Sequence, residues 1–223
     1  MPNQLPPEEL RSFLAAIADE PDDPALRLVF ADWLDDHGDP RAGLIRWQVR
    51  RCRSGADRRG RDVSSFHPLL WEWCDRHQRA LGLEGLGVTA WRWGRPCVSL
   101  EGATPAGLPA LLRAGWVEGL SGPAALVAGL GGLVWAVNDL SLEGGADADL
   151  GAALEAAGAA AALRSLSVAG GPAVTVECLR PLAALERLAE LRLPAGVSDA
   201  TWDELRRALP GCRIDAPAPA PPG

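Results

Sequence analysis

Leu10, Phe13, Leu14 and Ile17 recur at the i, i+3, i+4, i+7 spacing of one helical face, which predicts a helix over Pro7–Glu20. Pro21 breaks that pattern. Asp23-Pro24 then supplies a helix start, because an Asp oxygen accepts an orphan N–H and proline has none to waste at the first position. Leu26, Val29, Phe30, Trp33 and Leu34 repeat at helical spacing behind it. His37-Gly38 closes this second helix, with Gly free to take the left-handed position past the end. Asp39-Pro40 restarts the same device. Leu44, Ile45, Gln48 and Cys52 form the inner face of a third helix, which Gly55 ends. A charged loop follows at Arg53–Asp62, and a fourth helix is expected over Pro68–Leu81.

The pattern then changes period. "VTAWRWGRPCVSLEG", Val88–Gly102, alternates and reads as one or two short strands, which would set Trp91 and Trp93 on one strand face. From about Leu108 the chain is rich in Leu, Ala and Gly. "DLSLEGG" (Asp139–Gly145), "SLSVAGG" (Ser165–Gly171) and "ELRLPAG" (Glu190–Gly196) align as an internal repeat. Leu142 and Val168 are 26 residues apart, and Val168 and Leu193 are 25 apart, inside the range of leucine-rich repeats. Each L-x-L is followed by a Gly turn, and an Ala/Leu-rich helical stretch separates one repeat from the next. "CVSLEG" (Cys97–Gly102) and "WVEGLSG" (Trp116–Gly122) read as degenerate earlier turns. One such unit cannot bury its own apolar face, so the units are expected to stack.

These patterns predict an α+β protein with three parts. Residues 1–85 form a helical domain. Residues 86–215 form a short, irregular leucine-rich-repeat-like α/β solenoid of three to five units packed against it. Residues 216–223, "APAPAPPG", form a disordered Pro/Ala tail.

The string "FLAAIADEPDDPALRLVFADWLDDHGDPRAGLIRWQ", Phe13–Gln48, resembles a bacterial family called the repeat-companion domain. The following segment resembles the leucine-rich-type repeats that often accompany that domain. Gly144, Gly170 and Ala195 stand where those repeats carry Asn or Cys after the strand. The resemblance implies an architecture and an association with binding repeats, and it implies no reaction.

Composition narrows the function classes. The chain has 223 residues and a formal net charge of −7, so bulk attraction to nucleic acid or an anionic membrane is not expected. All 22 basic residues are Arg, which reads as the drift of a GC-rich genome. The five cysteines are scattered without C-x-x-C, against a disulfide framework or zinc knuckle and in favour of a reducing cytoplasm. "MPNQLPPEEL" has neither the basic nor the apolar region of a secretory signal. The longest apolar stretch, Ala124–Val137, is too short for the ~20 residues of a membrane span.

Four groups of residues invite a chemical reading. Asp32, Asp35 and Asp36 are close enough on a helix for metal or acid–base work, but acids here also fit helix punctuation and a solvated face. Asp32, between Phe30 and Trp33, is expected to be partly buried and bonded to a cap or to an Arg of the next helix; Asp32 and Asp35 make a polar structural site. The Arg41–Arg61 run carries eight Arg against one Asp, behind a Glu8–Asp39 segment of ten acids and two Arg. That contrast favours packing of acidic helices on a basic one. Its rival is a phosphate or nucleic-acid patch of Arg46, Arg50, Arg51 and Arg53 with Trp47 as a stacking surface. Cys74 and His77 lie one turn apart, and a core cysteine beside a surface histidine is the simpler reading. Nine Trp stand against three Phe and no Tyr; most are expected to join the two halves, with room for an exposed anchor.

No G-x-G-x-x-G, Walker A, G-x-S-x-G, H-E-x-x-H or calcium-loop motif occurs, so no cofactor, metal or catalytic residue is assigned. The expected function is protein–protein recognition by another, unidentified protein. The strand face would carry the contacts through Asp139, Ser141, Glu143, Ser167 and Arg192, with Glu101 and Glu118 beside them.

Overall fold

The structure is a computed structural model that describes residues 5–20, 23–53, 68–101, 104–144, 147–158, 162–169, 179–194 and 197–215. The expected loop at Arg53–Asp62 and the Pro/Ala tail fall outside these, apart from Arg53 itself. The described chain mixes helix and sheet, in line with the α+β expectation. No helix among the described residues is long and apolar enough to cross a membrane.

Among the described residues, four helices come first: α1 (Pro7–Asp19), α2 (Pro24–Asp36), α3 (Arg41–Arg53) and α4 (Pro68–His77). The Asp-Pro starts work as their chemistry requires. Asp23 accepts from the Ala25 N–H at 2.8 Å, and Asp39 accepts from the Arg41 N–H at 2.9 Å. Gly38 ends α2 with φ 69°, the left-handed position at which a side chain would be strained. Phe30, Ala31, Leu34, Ile45 and Val49 are sealed between these helices.

Seven strands form one sheet in chain order: β1 (Gly87–Arg92), β2 (Arg95–Ser99), β3 (Gly119–Pro123), β4 (Asp139–Glu143), β5 (Ser165–Ala169), β6 (Glu190–Arg192) and β7 (Arg213–Asp215). β1 and β2 make an antiparallel hairpin, and every later pairing is parallel. Its two-residue turn is Trp93-Gly94, with φ 51° and 78°, so both positions have the positive φ that a type I′ turn requires. Trp93 therefore does not share a strand face with Trp91: it leaves the strand, while Trp91 stays buried.

Helical segments separate the parallel strands: α5 (Leu108–Arg113), α6 (Ala124–Leu130) with a 3-10 turn at Gly131–Val134, α7 (Asp147–Gly158), a 3-10 turn at Arg180–Ala184, and α8 (Asp199–Ala208). Ser198 starts α8 by accepting from the Thr201 N–H at 3.3 Å. The inner strand positions line up across the sheet as Val98, Leu120, Leu140, Leu166, Leu191 and Ile214. Leu142, Val168 and Leu193 extend that apolar face under the helices. Each Leu so buried contributes about 1.5–3 kcal/mol of transfer free energy.

α1 lies across the strand starts. Arg11 sits over the Trp135 ring, ahead of β4, at 5.7 Å. The guanidinium of Arg164, ahead of β5, donates to the Ala18 carbonyl near the C-terminal end of α1, and Arg187, ahead of β6, pairs with Asp19. A helix of 13 residues is about 20 Å long, while β3 to β6 span about 14 Å at ~4.8 Å per strand. One helix thus reaches several successive units. Gly115, at φ 72°, makes the close approach possible: a Cβ there would lie 2.6 Å from Leu14 Cδ1.

Candidate functional site

The outward side of the sheet follows from strand alternation. Its central row runs Ser99, Ser121, Ser141, Ser167, Arg192 and Asp215, each in register with the next. A second row runs Cys97, Gly119, Asp139, Ser165, Glu190 and Arg213. Glu143 lies between Pro123 and Ala169 in a third. Four of the residues expected to contact a partner, Asp139, Ser141, Ser167 and Arg192, thus share two adjacent rows, and Glu143 lies beside them. The four central serines are half-buried, and their hydroxyls have no hydrogen-bond partner among the described residues.

Most charges in the two rows are paired. Arg92 reaches from β1 to Asp139 at 2.5 Å, and the β3 residue in Asp139's row is Gly119, whose missing side chain leaves the space. Arg192 pairs with Glu190 at 2.6 Å, and Arg213 with Asp215 at 3.0 Å. Glu143 and Glu101 are exposed. Cys97 lies beside Arg92 and Asp139; burial, only partly offset by Arg92, pushes its thiol up to about 12. Its sulfur stays protonated and is no nucleophile at neutral pH.

Glu118 does not belong to this face. It sits just before β3 and is buried against Arg95, whose Nη1 donates to Glu118 Oε2 at 2.6 Å. Arg95 Nη2 donates to the carbonyls of Val117 and Ala136 at 2.6 and 2.5 Å. Asn138 Nδ2 donates to both Glu118 oxygens at 3.1 Å. Burial pulls the Arg95 guanidinium down and Glu118 opposes it. The Asn138 and Asp139 N–H groups both donate to the Glu118 carbonyl, and the Arg164 and Ser165 N–H groups both donate to the Asn138 carbonyl. Glu118, Asn138 and Arg164 thus form a polar column one residue ahead of successive strands. The sequence carries that signal as a polar residue before each of the three strands β3, β4 and β5.

On the helical side, Asp32 and Asp35 both accept from Arg46, at 2.7 and 2.9 Å, tying α2 to α3. Asp32 is bonded to an Arg of the next helix as expected, but its side chain is 70 % exposed and not partly buried. Asp36 is exposed too. Among the described residues, no three or more His, Cys, Asp or Glu are grouped to hold a metal ion. The described residues of the basic run have different surroundings. Arg41 is buried, paired with Asp39 and stacked 3.1 Å over Trp116; Arg46 is held by the two Asp. Arg51 lies over Trp47 at 5.2 Å, Arg50 is exposed, and the Arg53 side chain is outside the described set.

Several tryptophans lie where the helices meet the strand starts. Trp116 packs into the α1–α3 core beside Phe30. Arg27 stacks 4.0 Å over Trp93. Gln48, buried on α3, donates to the Trp91 carbonyl at 3.2 Å and accepts from the Gly94 N–H at 3.0 Å. Gly94 is required there: a Cβ would lie 2.8 Å from Ile45 Cγ1. Among the described residues no Trp is exposed, so the exposed anchor expected from composition is not found in them. Cys74 is buried beside Trp91, with its thiol pushed up to about 11 by burial, and His77 packs on Trp73. That is a core cysteine and not an activated pair.

Compared with known proteins, the chain matches no family model and no curated sequence.

Proposed function

We propose that the chain is a non-catalytic protein–protein recognition module, and that the outward strand face is its contact surface. The observation that carries this reading is the in-register row of four serines whose hydroxyls have no hydrogen-bond partner among the described residues, beside fixed ion pairs. Parallel strands ~4.8 Å apart space these hydroxyls regularly. Small side chains leave a shallow polar track, and the paired Arg and Asp at its borders hold its walls. An extended polar segment of a partner protein fits such a track better than a bulky apolar ligand does.

We further propose that the parallel units are a short, irregular leucine-rich-like solenoid, and that the helical opening is a repeat-companion-like unit. The 26- and 25-residue spacing, one strand per unit and an Ala/Leu-rich segment between strands support it. A reducing cytoplasmic setting agrees with free thiols at Cys74, Cys97 and Cys212.

The test is capture from native lysate with the wild-type chain and with a Ser167→Arg, Arg192→Glu double variant. Loss of specific partners at an unchanged circular-dichroism melt supports the strand face. Retention of every partner by the variant removes it.

A further inference from the structure

We propose that the chain carries a second binding site, distinct from the strand face, for a small organic acid with an apolar body. A cleft of about 710 Å³ opens where the start of α1, the α2–α3 turn, α5 and the turn after α4 meet. That volume lies within the roughly 300–1,000 Å³ of ligand sites. Most of its wall is apolar, from residues such as Leu10, Pro40, Leu81, Leu111 and Trp116.

The charge on that wall is one-sided. Its polar side chains are Arg11, His37, Asp39, Arg41 and Arg113. Asp39, the single carboxylate, is consumed by Arg41, and Arg41 is in turn pinned on Trp116. Arg113 is exposed and makes no ion pair or hydrogen bond among the described residues. Arg11 sits 5.7 Å over the Trp135 ring and makes no ion pair or hydrogen bond among the described residues. Arg113 therefore brings a guanidinium without a counter-charge among the described residues to a mostly aliphatic hollow, and Arg11 adds a second positive residue to its wall. A carboxylate at the Arg113 side of the cleft gains charge-assisted hydrogen bonds, and an alkyl chain covers the leucines and prolines. A cation gains nothing here, because the carboxylate that would receive it is taken. The Trp116 ring lies between Phe30 and Arg41, which favours an aliphatic chain over a stacking ring.

The experiment is titration calorimetry of the full chain with decanoate, decanol and decylammonium at low salt. Decanoate should bind with one-to-one stoichiometry and at least about tenfold more tightly than either analogue. Arg113→Gln, at an exposed position, should weaken decanoate about tenfold and leave decanol unchanged. Ala80→Trp, on the exposed rim, should obstruct both without altering charge. Absence of decanoate binding, equal binding of decylammonium, or an Arg113→Gln variant that binds as the wild type would each overturn the site. Strand-face variants leave this titration untouched, so the two sites fail or stand separately.

Discussion

Arg95 Nη1 meets Glu118 Oε2 at 2.6 Å with both side chains almost sealed from water, 6 % and 11 % exposed. The pair joins the β1–β2 hairpin to the start of β3, and Asn138 extends it to β4. Removing one partner of a buried pair leaves the other charge uncompensated. Glu118→Ala should therefore cost about 3–5 kcal/mol. It should lower the melting temperature by roughly 10 °C. A thermal melt followed by circular dichroism checks this.

Asp32 and Asp35 provide the contrasting case. Both pair with Arg46 at an exposed surface, where such pairs contribute little. Asp32→Asn with Asp35→Asn should shift the melting temperature by no more than about 2 °C. A large loss would mean that these carboxylates do more than tie two helices together.

Gln48 holds the Trp91 carbonyl and the Gly94 N–H at once. Gln48→Ala strands both and opens a small cavity, so it should cost at least ~2 kcal/mol. Urea denaturation measures the loss. Hydrogen exchange should show the Gly94 amide as the site of largest local change.

Arg164 caps the C-terminal end of α1 from the start of β5. Arg164→Ala should loosen α1 from the strand starts while the sheet stays intact. Native-state hydrogen exchange should then quicken in Leu14–Ala18 and not in Leu140–Leu142. Uniform quickening would contradict the assignment of Arg164 as a local latch.

Burial raises the Cys97 thiol to about 12 and the Cys74 thiol to about 11, against an ordinary value of 9.0. The unfolded chain loses these protons first as pH rises, so the native state binds more protons above pH ~9. The stability from the neutral thiols is complete below that point and falls as pH rises toward the folded values. Cys97→Ala should flatten the loss between about pH 9 and 12 relative to wild type. Denaturation midpoints across that range measure it.

The helix starts and the repeat were legible because their causes are local. Asp23-Pro24 and Asp39-Pro40 set caps within a few residues, and the L-x-L strings fall on β4, β5 and β6. The degenerate "CVSLEG" and "WVEGLSG" also contain strand residues of β2 and β3. The burial of Glu118 has no local signal, because its partners Arg95 and Asn138 lie 23 and 20 positions away. The burial of Arg41 depends likewise on Trp116, which no spacing rule connects to it. α8 has a Ser198 start but no L-x-L string to mark its unit, and β7 is only three residues long. The strand-face rows emerge only once register is known, because a one-residue slip would turn Ser141 and Ser167 inward.

Recognition through the strand face is tested most directly by a scan across it. Ser121→Arg, Ser141→Arg and Ser167→Arg place a bulky charge on neighbouring strands of one row, while Arg206→Glu, at an exposed position of α8, serves as a control. Each chain, with its melt verified, is used for quantitative capture from native lysate. The prediction is a shared set of partners lost from all three serine variants and kept by the control. Capture that is equal in all four chains, or lost only in the control, would contradict it.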